Sequence, residues 1–100
     1  MTIKNGKIIK TFLGVEDHGF FTFMLTLDYG GICQGFGGYD LKWHEYGVAA
    51  LRRILEVVGV EKWEDLQGKH VRADAEHTKI TRLGHIIEDK WISMGENGLH

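Results

Sequence analysis

Phe20-Phe21-Thr22-Phe23-Met24-Leu25-Thr26-Leu27-Asp28-Tyr29 is the stretch on which the fold turns. Phe21, Phe23, Leu25, Leu27 and Tyr29 recur at period two, while Thr22, Met24, Thr26 and Asp28 fill the alternate positions, three of the four polar. Successive strand residues point to opposite faces, so this alternation predicts a half-buried β-strand. Ahead of it, Lys7 to Val15 carries Ile8, Ile9, Phe12, Leu13 and Val15 with a less regular alternation. Between the two, Glu16-Asp17-His18-Gly19 predicts a hairpin loop, with Gly19 available for positive φ.

Working outward, Gly30 to Tyr39 holds five glycines in ten residues. It reads as a third strand weakened by glycine or as a loop lying over the sheet, with Gly30-Gly31 suited to a tight turn. From about His44 to Val58 the period changes. Val48, Leu51, Leu55 and Val58 recur at helical steps with Ala50 and Ile54 beside them, and Arg52, Arg53 and Glu56 fall on the other flank. Gly59 is the expected C-terminal stop. Glu61 to Leu66 predicts a short helical turn with Trp63 and Leu66 inward, ended by Gly68. Val71, Ala73 and Ala75 then alternate with His70, Arg72 and Asp74, and Ile80 to Ile92 reads as a last strand with Gly84 marking a bulge. The prediction is an α+β domain over 1–94, with a mainly antiparallel five-stranded sheet and one α-helix in the order β-β-β-α-β-β, and a loose tail over 95–100.

The chain has 100 residues, a hydrophobic share of 43% and a charged share of 26%, the profile of one globular domain with a modest core. No stretch reads as a membrane span or a secretory signal. A net charge of −2 disfavours a dedicated duplex nucleic-acid binder, whose affinity comes largely from neutralising phosphates. The single Cys33 rules out an internal disulfide and a cysteine zinc cage, and a reducing cytoplasm is the natural setting. With no proline present, turns must rely on Gly, Asn and Asp.

Leu27-Asp28-Tyr29-Gly30-Gly31, Gln34-Gly35-Phe36-Gly37-Gly38-Tyr39, the run Gly59 to Lys69, Glu16-Asp17-His18-Gly19 and Gly84 to Trp91 together carry a likeness. Over about residues 11–92, the sequence resembles small uncharacterised proteins encoded in phages and prophages. The resemblance carries over no catalytic residue. It implies a setting: an accessory protein in the cytoplasm of a bacterial host, acting against host defence by blocking an effector such as a CRISPR nuclease or by sequestering a nucleotide signal.

The candidate residues follow from this frame. Gly35, Gly37 and Gly38 expose backbone N–H groups to which a phosphate can come close, and Phe36 and Tyr39 can stack on a base. The segment lacks a P-loop ending and a dinucleotide-fold context, so a close-packed turn or subunit contact is the stronger reading. Arg52 and Arg53, with Arg72 and Arg82 from the last hairpin, offer guanidinium forks for phosphate, against the plainer pairing of Arg52 or Arg53 with Glu56. His18 beside Glu16 and Asp17 offers a proton shuttle or part of a metal site and joins the ligand-binding candidates, though polar residues at a hairpin tip need no function. Trp43, flanked by Lys42 and His44, is a candidate interface anchor together with Tyr39. Cys33 reads as a small buried hydrophobe, since its neighbours offer nothing to lower a thiol pKa. Trp63 and Trp91 read as edge-of-core residues with their indole N–H groups outward.

No histidine spacing points to a metal, and no nucleophile, base and orienting group can be assembled. The expectation is therefore a protein that binds rather than catalyses, without a cofactor, whose partner is a host defence protein. The alternative is a sponge for a nucleotide-type ligand held by residues 35–39 and the arginines. A homo-oligomer is expected, because one helix cannot cover both faces of the sheet.

Overall fold

The computed structural model describes residues 2–41, 47–76, 79–95 and 98–99. Strand β1 (Thr2–Val15) turns back into β2 (Phe21–Asp28), and β2 into β3 (Cys33–Gly37). Helix α1 (Gly47–Val58) and a 3-10 turn at Trp63–Asp65 follow, then β4 (His70–Ala75), β5 (Ile80–His85), β6 (Trp91–Gly95) and the two-residue β7 (Gly98–Leu99). The strand order is β3-β2-β1-β4-β5-β6, with β7 on β6, and every pairing is antiparallel. This is the α+β class with one helix, but the sheet has six main strands where five were predicted. The segment 80–92 is two strands, joined by a turn in which Arg72 donates to the carbonyls of His85 and Glu88 at 2.7 Å each. The tail expected to be loose contributes β7, which pairs Leu99 with Met94.

The first two strands form as their patterning dictates. Phe23, Leu25 and Leu27 are buried side by side, and their neighbours across β1 on the same face are Leu13, Thr11 and Ile8. The irregular alternation of β1 has a physical cause: Ile9 is an extra residue, a bulge between Ile8 and Lys10. Gly84 marks no bulge. It sits under the Trp91 ring, where a Cβ would lie 2.6 Å from two ring carbons. The second bulge falls between Asp74 and Ala75.

β1 pairs with β4 over Thr2–Lys7 and with β2 over Lys7–Val15, so β4 and β2 are staggered along it. The sheet coils far enough that β3 comes against β5, and the Gln34 amide reaches the carbonyl of Glu76 at 3.3 Å. Helix α1 packs on β5 and β6, closing the core around Phe36, Ile54, Leu66, Leu83 and Ile92. Its inward stripe is Ala50, Ile54, Val57 and Val58, turned from the predicted one; Val48 is 83% exposed. Gly59, at φ +89°, ends the helix by donating to the Leu55 carbonyl.

Candidate functional site

Within the glycine-rich segment, Cys33–Gly37 is a strand. Gly30 and Gly31 make the β2–β3 turn at positive φ, held by the Asp28 carboxylate, which accepts from the Gly31 N–H at 2.7 Å. Gly35 lies beneath Met24, whose Sδ would be 2.7 Å from any Cβ there. Gly37, at φ +131°, lies against the Phe23 carbonyl, where any Cβ would collide with it, and Gly38 donates to that carbonyl at 2.8 Å. These glycines make room for β2. Phe36 is buried in the core against Phe23, with ring centroids 5.9 Å apart. Tyr39 is half-buried against the core, and burial raises its phenol pKa.

The helix arginines are engaged with their own helix. Arg52 Nε lies 3.4 Å and Arg53 Nη1 3.3 Å from the Glu56 carboxylate, and Arg53 also donates to the Trp91 carbonyl at 3.3 Å. At the β1–β2 turn, the Glu16 carboxylate reaches back across the loop. It accepts from the His18 N–H at 2.7 Å and the Phe20 N–H at 3.2 Å, and lies 3.1 Å from His18 Nδ1. Desolvation pushes the Glu16 pKa up, but these bonds outweigh it and hold the carboxyl below its ordinary value. His18 and Glu16 face one another, and the contact is a loop clasp.

Cys33 is exposed, correcting its reading as a buried hydrophobe. Trp63 packs edge-on against Phe23, and its Nε1 is buried rather than reaching outward. Trp43, the predicted interface anchor, lies outside the described residues, as do His44, His77 and His100. Among the described residues, no three His, Cys, Asp or Glu side chains converge as metal ligands.

What the fold does bring together is Arg72, Trp91 and Arg82. Arg72, Gly84 and Trp91 stand in one row across β4, β5 and β6, and the bare Gly84 lets the indole lie flat on the sheet. The Arg72 and Arg82 guanidinium carbons sit 4.8 and 4.5 Å from the Trp91 ring centre, within cation–π range. Each part is held in place. Arg72 is fixed by the carbonyls of His85 and Glu88 and has no carboxylate partner among the described residues, while Trp91 Nε1 donates to Asp89 at 3.0 Å. Arg82 grips Oδ2 of Asp74 at 3.0 and 3.1 Å; that carboxylate is 2% exposed, and its Oδ1 has no hydrogen-bond partner. Sequence reading named both arginines but placed Trp91 on the same strand as Arg82. The signal was Gly84 itself, read as a bulge when it marks the seat of an aromatic ring.

The described surface carries open depressions. Asn5, Gly6, Lys7, Asp28, His70 and Ile86 line one of about 410 Å³. Another, of about 550 Å³, lies over the loop from Gly59 to Lys69, and a third, of about 320 Å³, is formed by Phe12, Val15, Glu16, Asp17 and His18. None of the three is lined by residues 35–39 or by an arginine. No helix among the described residues is long and apolar enough to cross a membrane. No protein-family model, curated protein or solved structure matches this chain.

Proposed function

We propose that this chain is a small accessory protein of phage type that acts by binding rather than catalysis, inhibiting a host defence system through a protein partner. The Arg72–Trp91–Arg82 cluster carries the reading. Tryptophan and arginine are the residues that most often dominate protein interfaces, and here all three are held in place before any partner arrives. Preorganisation removes part of the ordering cost of association. With Arg72 lacking a carboxylate partner, the cluster favours an acidic surface on the other protein. The alternative, a nucleotide sponge, has less support, because Gly35 and Gly37 are occupied in packing against β2 and Arg52 and Arg53 in pairing with Glu56.

The test is phage plating on bacterial strains that each carry one defined defence system, with this chain expressed from a plasmid. The expected result is a rise in plating of tenfold or more on at least one defended strain and none on the undefended parent. Arg72→Glu and Trp91→Ala, each checked for folding by circular dichroism, should abolish the rise. No rise on any strain, or a rise that both folded variants keep, overturns the reading. A thermal shift of the purified chain with a nucleotide or cyclic nucleotide would move the conclusion to the sponge.

A further inference from the structure

Strand β1 is flanked on both sides only at Lys7 and Ile8. Beyond them β4 has ended: Ile8 donates to the Lys69 carbonyl at 2.9 Å and accepts from the Gly68 N–H at 2.7 Å, and no described residue continues that line. The direction of the remaining backbone groups follows from the ladder. Phe23 gives its carbonyl to Gly38, so the odd residues of β2 bond toward β3 and the even ones toward β1. The even residues Thr22, Met24 and Thr26 are paired with Gly14, Phe12 and Lys10. Thr11, Leu13 and Val15 therefore turn their N–H and C=O groups outward, and no described residue takes them. The same segment is apolar on both faces: Phe12 and Leu13 are each 40% exposed and Val15 66%. Lys10 supplies its one positive charge and Glu16, at its end, its one negative charge. A bare, apolar strand edge is what native proteins cover, charge or shorten.

We infer that a second copy of this chain covers it, pairing β1 with β1 antiparallel about a two-fold axis at Leu13. In that register Leu13 lies opposite Leu13, and Thr11 opposite Val15, giving six main-chain hydrogen bonds from the three outward residues of each copy. On the inner face only Thr, Leu and Val meet. On the outer face Phe12 lies over Gly14 of the second copy, an aromatic ring over a bare glycine, and Lys10 lies opposite Glu16. The register brings no like charges together and matches the two opposite ones twice, once on each side of the axis. Shifting the axis by one residue puts Phe12 against itself or against Glu16, and either shift moves Lys10 away from Glu16. The edge is complementary to itself in this alignment, and the arrangement lies apart from the Trp91 cluster.

Sedimentation velocity over micromolar to millimolar concentrations tests the assembly, the expected mass rising toward twice 11.4 kDa. Thr11→Pro removes an outward N–H and leaves the β1–β2 ladder untouched, so it should stay folded and monomeric throughout. Lys10→Glu sets like charges opposite Glu16 and should raise the dimer dissociation constant about tenfold at low salt, with less effect at high salt. The register is read by cross-linking in a Cys33→Ser background, where a mixture of Lys10→Cys and Glu16→Cys chains should form a disulfide-linked pair on oxidation. A wild-type mass that stays at 11.4 kDa overturns the inference. So does a dimer that survives Thr11→Pro and gives no cross-link in the mixture, since it would use another surface.

Discussion

Tyr29 buries its hydroxyl with no hydrogen-bond partner, and burial alone pushes its pKa up to about 12. A buried donor left unmade destabilises the fold, so Tyr29→Phe is expected to leave stability unchanged or raise it by up to about 1 kcal/mol, measured as the urea midpoint. A loss larger than that would mean the hydroxyl has a partner. The sign of the pH effect follows from the raised value. The folded state favours the neutral phenol, so this contribution is whole below the ordinary tyrosine pKa of about 10 and lost as pH rises toward 12. Gly84 makes the opposite case, where the missing side chain is the feature. Gly84→Ala drives a methyl into the Trp91 ring and is expected to cost about 1–3 kcal/mol. The Trp91 near-ultraviolet circular dichroism should change with it; an unchanged spectrum and midpoint would show that the ring is not seated there.

At the scale of elements, the β1–β2 turn depends on one carboxylate. Glu16 holds the N–H groups of His18 and Phe20, and these bonds hold its pKa below its ordinary value. Its contribution to the turn is therefore complete above that value and disappears as pH falls through the lower folded one. Proton NMR of the His18 and Phe20 amides should show both moving together with a midpoint below that of glutamate in the unfolded chain. A midpoint at or above it would exclude the clasp. Elements with one clear period were legible from sequence: β2 from Phe21 to Leu27, and the existence and stop of α1 at Gly59. The inward stripe of the helix was not, because Val48 and Leu51 satisfy the same spacing as Ala50 and Ile54, and only the position of β5 and β6 decides between them. β6 was missed because Ile86 and Ile87 continue an apolar run through what is a turn, with Ile87 exposed. The Arg72–Trp91–Arg82 cluster was out of reach for the same reason. Its members come from three strands, and their meeting depends on a register that no local pattern encodes.

At the scale of the molecule, two antiparallel meanders, β1-β2-β3 and β4-β5-β6, are paired along a long-range seam between Thr2–Lys7 and His70–Ala75. Each meander is built from local hairpins, while the seam closes a span of more than sixty residues and is the slow, entropically expensive step of assembly. The sheet curls so that β3 comes against β5. Here β4 and β2 meet on β1 at Lys7 alone, one on each half of the strand, so Thr11, Leu13 and Val15 have no described strand on their second side. A chain whose residues ahead of His70 ran on along β1 in the same register would cover that edge and leave the seam unchanged. The bare edge is therefore set by where β4 begins, and not by the pairing that joins the two meanders.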